Sequence, residues 1–188
     1  RVDHHRLRAG LATNQDWSRI SHAVGGLQDV PLYLVESART LSALHAWGRR
    51  LRDDGGLALL VVDYLQLLVP EPAKSSREVE VAAISRGLKQ LAVDLDVPVL
   101  ALSQLSRAPE ARRDKRPQLS DIRESGAVEQ DTDLALLLFR EEVYSPKESN
   151  EGIAEVIVAK HRNGPTGVVR LAFLKEFAKF EDLAYGYV

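Results

Sequence analysis

The stretch Leu57–Tyr64, with the sequence LALLVVDY, decides the predicted fold. Its apolar residues do not alternate with polar ones, which predicts a strand buried on both faces of a parallel sheet. A second stretch of this kind, Val97–Ser103 (VPVLALS), follows a long helical pattern over Glu78–Asp96. Strand, helix and strand in this order predict an α/β fold with a mostly parallel sheet flanked by helices.

The rest of the chain adds helices before this unit and an antiparallel edge after it. Apolar spacing predicts two short helices over Arg1–Gln28, broken at Gly10, and a helix over Leu41–Asp53 that Thr40 caps. The other predicted elements are a strand at Pro31–Glu36, a mobile loop at Ala108–Gln118, a short helix from about Ser120, a strand at Leu134–Phe139, a hairpin of Ala154–Arg162 and Gly167–Leu174, and a last strand near Lys179–Leu183. We therefore expect one α/β domain over residues 1–188.

Composition and charge exclude several classes of function. The 188 residues carry a net charge of −2, so binding to nucleic acid would need a local basic patch. The chain has no cysteine, which excludes disulfides, thiolate chemistry and Cys-based metal sites. The longest apolar run, Leu57–Val62, is too short to span a membrane.

Polar side chains follow both buried strands, Asp63 after the first and Gln104 after the second. Because α/β sheets bind ligands at the carboxyl ends of their strands, we expect both side chains at the same edge. In nucleotide triphosphatases, an Asp at this place holds Mg²⁺ through water, and a Gln senses the γ-phosphate or orients water. The alternatives are an Asp and a Gln that simply end their strands.

Basic residues cluster in the segment Arg112–Arg116, in which every residue except Asp114 is Arg or Lys. Contacts to a phosphate backbone would explain this cluster, but a solvated charged loop would explain it equally well. Shortly after it come Arg123 and Gly126, which would let a cation and backbone N–H groups approach a phosphate. An ordinary helix break is the alternative here.

Two cations, Lys160 and Arg162, stand two residues apart near the end of a predicted strand, so both project to one face. This placement suits an arginine finger that reaches the nucleotide of a neighbouring subunit. A solvated pair that protects an edge strand from aggregation is the alternative.

A phosphate-binding P-loop is absent from this sequence. The loop needs Gly-Lys followed by Ser or Thr, and none of the seven lysines follows a Gly. Either the protein uses no nucleotide, or the loop lies upstream of Arg1.

Read together, five motifs resemble a known family. They are LLVVDYLQLL (59–68), EVAAISRGLKQLA (80–92), ALSQLSR (101–107), DKRPQLSDIRESGAVEQDTD (114–133) and AKHRNGPTG (159–167). Their order and spacing resemble the C-terminal motor domain of DnaB-type replicative DNA helicases, which is a RecA-like ATPase. The resemblance extends over nearly the whole chain.

The resemblance implies a role for each nucleotide-site candidate. Asp63 matches the Walker B carboxylate, and Gln104 matches the glutamine that couples nucleotide state to DNA. Lys160 and Arg162 match the pair that reaches the adjacent subunit's nucleotide, with Arg162 as the finger.

For DNA, the resemblance implies that Arg123, Glu124 and Gly126 belong to the loop that grips a single strand inside a hexameric ring. Arg112 and Arg113 fall in the variable central loop of the family. The implied cofactors are ATP and Mg²⁺, and the implied partners are single-stranded DNA, a primase and a helicase loader. The implied location is the cytoplasm, at the nucleoid.

By the same resemblance, the P-loop, the catalytic glutamate and an N-terminal collar domain precede Arg1, so we expect 1–188 to be one partial RecA-like domain. Without the P-loop strand, Leu57, Leu59 and Val61 would be exposed at a sheet edge. Two other functions stay open. One is a non-catalytic remnant that binds DNA or a helicase subunit, and the other is a recombinase-type filament.

Overall fold

The computed structural model describes residues 1–71, 76–122 and 126–183. The chain divides into two compact units. The first unit comprises Arg1–Leu34, Leu138–Val156 and Val168–Val188. The second unit comprises Val35–Leu137 and Ile157–Gly167, and it contains the predicted strand–helix–strand core.

A two-stranded parallel sheet forms in the second unit, as predicted. Strand β1 (Leu60–Val62) pairs with β2 (Val99–Ala101), with Leu60 opposite Val99 and Val62 opposite Ala101. Helix α4 (Arg77–Leu95) connects the two strands. Both strands are shorter than the apolar stretches that predicted them, because the backbone leaves the ladder at Asp63 and again after Ala101.

Helix α4 supplies more buried apolar residues to the core of the second unit than any other described element. Its residues Ile84, Leu88, Leu91 and Leu95 follow one another at intervals of three or four positions, so they lie on one side of the helix, and they are at most 5% exposed. Burying each of these side chains contributes about 1.5–3 kcal/mol. They pack in two clusters that also contain apolar residues of β1 and the turn after it, of the segment that leads into β2, and of β3.

Helix α3 (Leu41–Gly55) begins at the predicted residue and ends two residues later than predicted. The Thr40 hydroxyl accepts a hydrogen bond from the Ala43 N–H at 3.2 Å, which caps the first turn. Gly56 follows the helix with a φ of +97°, a conformation that favours glycine. The cap predicted at Thr40 is therefore present, and a glycine follows the last residue of the helix.

The segment after β2 is more ordered than a mobile loop. Helix α5 (Ala108–Ala111) forms where a loop was predicted, and a 3₁₀ turn follows at Leu119–Asp121. Pro109 favours this helix start because its fixed φ suits the first turn. Helix α6 (Gly126–Asp131) comes next, later than the helix predicted from Ser120.

The first unit begins with the two predicted helices, α1 (His4–Arg8) and α2 (Asn14–Leu27). Thr13 and Asp16 form a capping box at the start of α2. The predicted strand at Pro31–Glu36 is wrong, because this segment has no ladder among the described residues and Leu34 is 87% exposed. Apolar, β-branched composition alone does not make a strand without a partner.

The second sheet has the strand order β3-β4-β5-β6, and its strands pass through the ranges of both units. The strands are β3 (Leu134–Phe139), β4 (Ile153–His161), β5 (Gly167–Leu174) and β6 (Lys179–Asp182). Strands β5 and β6 are antiparallel, with Leu174 opposite Lys179. This sheet confirms the predicted C-terminal edge.

Two strands present an exposed apolar face. Leu59, which precedes β1, and Val61 are about half exposed, as predicted, whereas the prediction was wrong for Leu57, which is half-buried and packs against the cluster of Leu91 and Leu95. In β3, Leu134 and Leu136 are exposed, whereas the alternate residues are buried. Among the described residues, no helix is long and apolar enough to cross a membrane.

Candidate functional site

The parallel ladder carries the two polar strand ends to the same edge. The N–H of Leu102 donates to the carbonyl of Val62 at 2.9 Å, so the chain leaves β1 and β2 side by side. Asp63 follows β1 directly, and Gln104 lies three residues beyond β2. The peptide bond between Asp63 and Tyr64 is cis. With this register, Asp63 and Gln104 follow neighbouring strands at the same edge of the sheet, as predicted.

Gln66 joins the two strand ends, a contact that the motif analysis missed. Its side-chain NH₂ donates to the Ser103 hydroxyl at 3.0 Å, and its side-chain oxygen accepts the N–H of Gln104 at 3.3 Å. The Arg77 guanidinium donates to the backbone carbonyl of Gln66 at 2.9 Å. The sequence feature that could have indicated this role is the position of Gln66 as a polar residue within the apolar run LQLL.

The Asp63 carboxylate is exposed at this edge, and no residue in the described ranges pairs with it. No group of three or more His, Asp or Glu side chains in these ranges is placed to hold a metal ion on its own. Mg²⁺ typically uses one or two carboxylates, several waters and phosphate oxygens. A single free carboxylate at a strand end therefore fits a magnesium ion bound together with phosphate.

The cations at the end of β4 both reach the segment Glu129–Asp133. The Lys160 ammonium donates to the backbone carbonyls of Glu129 and, at 3.2 Å, of Gln130. These carbonyls belong to the last turn of α6, where a cation also interacts favourably with the helix dipole. Arg162 forms an ion pair with Asp133 at 2.8 Å between Nη1 and Oδ1.

Asp133 is the second residue that the motif analysis did not single out. It forms an ion pair with Lys89 of α4 as well as with Arg162. The backbone also connects the pair, because the Arg162 N–H donates to the Asp133 carbonyl at 2.8 Å. The hydrogen bond from Lys89 is the main cause that lowers the pKa of Asp133 below its ordinary value, so the carboxylate is charged at neutral pH.

The basic segment Arg112–Arg116 has an internal anchor. The Arg112 guanidinium donates to both carboxylate oxygens of Asp121, at 2.8 and 2.6 Å, and the Asp121 side chain is 2% exposed. This hydrogen bond raises the pKa of Arg112 and lowers that of Asp121. The Lys115 ammonium donates to the backbone carbonyl of Arg112 in the same segment and to that of Glu110 in α5. Arg113, in contrast, is exposed.

The predicted DNA loop lies only partly within the described chain. Arg123 and Glu124 fall outside the described residues. Gly126 is the first residue of α6 and is exposed, with open space where a side chain would begin. The described part thus places the end of this loop at the N-terminus of the same short helix whose last carbonyls Lys160 contacts.

The chain is similar to proteins with known names. Residues 1–182 match the family model described as "DnaB-like helicase C terminal domain". The chain is 46% identical over 184 residues to the "Replicative DNA helicase DnaB" of Geobacillus stearothermophilus, covering 97% of this chain and 40% of that protein. The chain therefore spans less than half the length of that relative.

Solved structures of the same kind have this fold. One of them, an ATPase domain, superposes with a TM-score of 0.90 at 40% identity, over 97% of this chain and 66% of the other. A DnaB-like replicative helicase, whose structure was solved together with its interactions with primase, gives the same TM-score and identity and is matched over 45% of its chain. The fold is thus RecA-like α/β, and the chain belongs to the DnaB-like helicase C-terminal domain family.

Proposed function

We propose that the full protein is an ATP-driven DNA helicase that moves along single-stranded DNA and unwinds the duplex. The observation that carries this proposal is the parallel pairing of β1 and β2, which puts Asp63 and Gln104 at one sheet edge. Ligands of α/β proteins bind at such an edge. The relative that shares 46% of these residues is named a replicative DNA helicase, which supports the same activity here.

At the sheet edge, Asp63 would hold Mg²⁺ through water, and Gln104 would sense the γ-phosphate. When bound, the ion neutralises charge that develops on the phosphates during transfer. Gln66 fixes the backbone at Gln104 through its side-chain oxygen, so the sensor starts from a defined position. The exposed carboxylate of Asp63 is available to a hydrated ion.

The hairpin cations would complete the site of a neighbouring subunit in a hexameric ring. Arg162 is 53% exposed beyond the end of β4, so its guanidinium remains accessible from outside the chain. An arginine supplied by another subunit stabilises the charge on a transferring phosphoryl group, because its planar guanidinium is always charged and matches phosphate geometry. Lys160 would act beside it.

Single-stranded DNA would contact the loop of Arg123, Glu124 and Gly126 and the basic segment of Arg112 and Arg113. The exposed Arg113 is free to meet a phosphate, whereas Arg112 would shape the segment from its place on Asp121. Backbone contacts of this kind carry no base code, so we expect no sequence preference.

The remaining parts of the proposal concern the whole protein. A P-loop on a strand that covers Leu59 and Val61 would supply the phosphate cradle, since both residues are about half exposed here. Together with that strand, residues 1–188 would form one RecA-like domain. A primase and a loader would bind the ring, in the cytoplasm at the nucleoid. The interactions with primase described for one structural neighbour support the first of these partners.

The test uses the full-length protein with ATP, Mg²⁺ and a forked DNA duplex. We expect DNA-stimulated ATP hydrolysis and unwinding, both abolished in Asp63→Asn and Arg162→Ala, while Arg162→Ala still binds a fluorescent ATP analogue. Asp54→Asn and Arg50→Ala, an exposed ion pair on α3, are the matched controls and should behave as wild type. No turnover in the wild type would favour a non-catalytic module that binds DNA or a subunit. Normal turnover in both site variants would refute the roles proposed for Asp63 and Arg162.

A further inference from the structure

We infer that Asp133 is the residue that positions Arg162 for catalysis at the subunit interface, with Lys89 holding the carboxylate in place. This inference rests on the proposed function, because it presumes that Arg162 reaches a nucleotide. The structural observation is a chain of ion pairs from Lys89 on α4, through Asp133, to Arg162 beyond β4.

Two contacts fix Arg162 relative to Asp133. The backbone N–H of Arg162 donates to the backbone carbonyl of Asp133, and the guanidinium Nη1 lies 2.8 Å from the carboxylate. A long, exposed arginine samples many rotamers, and holding it costs side-chain entropy. A carboxylate at its guanidinium removes much of that cost before the nucleotide arrives, because the tip of the side chain is already held.

The charge balance leaves the guanidinium able to bind phosphate. Arginine has five N–H donors, and the pair with Asp133 is made through Nη1. Asp133 shares its single negative charge between Arg162 and Lys89, so the cluster of three keeps a net charge of +1. A fully neutralised arginine would attract a triphosphate less strongly. Lys89 thus orients the carboxylate and also preserves the positive charge of the finger.

The neighbouring lysine supports the same assignment. Lys160 bonds the last carbonyls of α6, only a few residues before Asp133. The end of β4 is therefore attached to the segment 129–133 at two points, through Lys160 and through Arg162. Lys160 alone would hold the hairpin near α6, so the specific contribution of Asp133 is the direction of the Arg162 side chain.

The test is Asp133→Asn in the full-length protein, with DNA-stimulated ATP hydrolysis as the readout. We expect kcat to fall by about 10- to 100-fold with KM for ATP nearly unchanged, because misplacing a catalytic group by about 1 Å has effects of this size. Binding of ADP with aluminium fluoride, which mimics the transferring phosphoryl group, should weaken, while binding of a non-hydrolysable ATP analogue should not. Asp133→Glu should recover part of kcat.

Two further variants separate this inference from the proposed function. Arg162→Ala tests the finger itself, and Asp133→Asn with Arg162→Ala should be no slower than Arg162→Ala alone. Asp94→Asn is the matched control, because it removes a carboxylate of α4 that pairs with His45 and not with Arg162. If Arg162→Ala is inactive but Asp133→Asn keeps wild-type kcat, the positioning role is wrong. If Arg162→Ala hydrolyses ATP normally, the role proposed for Arg162 is itself wrong, whatever the result for Asp133→Asn.

Discussion

Gln66 and Gln104 are joined by a hydrogen bond from the backbone N–H of Gln104 to the side-chain oxygen of Gln66, at 3.3 Å. Gln66 lies in the short turn after β1, and Gln104 lies beyond the end of β2. The side chain of Gln66, at the end of β1, therefore fixes the position of the Gln104 backbone, beyond the end of β2. If Gln104 senses the γ-phosphate, Gln66 determines where that sensor starts.

Gln66→Ala should lower DNA-stimulated ATP turnover without loss of ATP binding. The variant removes the acceptor for Gln104 and the donor to Ser103, so the Gln104 side chain loses its fixed starting position. We expect kcat to fall by about tenfold, the cost of roughly one well-placed contact. Gln90→Ala, an exposed glutamine of α4 that bonds Asp94, is the control and should be silent. Wild-type kcat in Gln66→Ala would contradict the prediction.

The sequence predicted what depends on local pattern. The apolar stretch before Asp63, the helical spacing of Ile84 and Leu88, and the Thr40 cap all follow from period and capping rules, and all are found. The strand predicted at Pro31–Glu36 was wrong because strand formation depends on a partner strand, and none pairs with this segment among the described residues.

The contacts of the candidate site were harder to predict because they join residues far apart in sequence. Asp133 meets Lys89 across 44 positions, and Gln66 meets Ser103 across 37. Nothing in the local pattern around either residue indicates its partner. Arg112 illustrates the same limit, since the basic run left phosphate contacts and a solvated loop open, whereas the Arg112 guanidinium is bonded to the buried Asp121.

Arg113 and Arg112 should differ in their effect on DNA binding. Arg113→Ala removes an exposed cation, so we expect weaker binding to single-stranded DNA and a slope of log K against log salt that is smaller by about 1. Arg112 is held by Asp121, so Arg112→Ala should weaken binding with less change in the salt slope. Titrations of a fluorescent oligonucleotide at several salt concentrations measure both. Equal slopes for the two variants would contradict this distinction.

Asp121→Ala should destabilise the second unit in a pH-dependent way. Losing the hydrogen bonds between Arg112 and the Asp121 carboxylate costs about 1.5–3 kcal/mol, and not more, because the remaining Arg112 is 31% exposed and can be solvated. The hydrogen bond from Arg112 lowers the pKa of Asp121 below its ordinary value of 3.8 in the folded chain. The pair therefore stabilises the fold fully above pH 3.8, and this stabilisation is lost as the pH falls through the lower, folded-state pKa.

Urea denaturation of the full-length protein, followed by circular dichroism, measures this difference. The gap between wild type and Asp121→Ala should be constant from about pH 7 to about pH 5 and should narrow below pH 3.8. Asp114→Ala, which removes a 71% exposed carboxylate from the same segment, is the control and should have little effect. If the difference in unfolding free energy instead increases as the pH falls, the ion pair of Arg112 and Asp121 is not the cause of the destabilisation.

Two glycines at the contact between α3 and α4 should respond differently to alanine. A Cβ at Gly48 would lie 2.4 Å from Cδ1 of Leu95, and a Cβ at Gly87 would lie 2.2 Å from Cδ1 of Leu41. Leu95 is 1% exposed and cannot move without disturbing the core, whereas Leu41 is only half-buried. Overpacking a core costs about 1–3 kcal/mol, and replacing a helical glycine by alanine gains about 1 kcal/mol.

We therefore expect Gly48→Ala to lower the unfolding free energy by about 1 kcal/mol and Gly87→Ala to leave it nearly unchanged. Thermal and urea unfolding of the two variants give the comparison directly, and each serves as the other's control because both lie within helices. If Gly87→Ala is the more damaging of the two, Leu41 is fixed more firmly than its exposure indicates. That result would mean that the mobility of the neighbouring leucine does not determine the loss of stability.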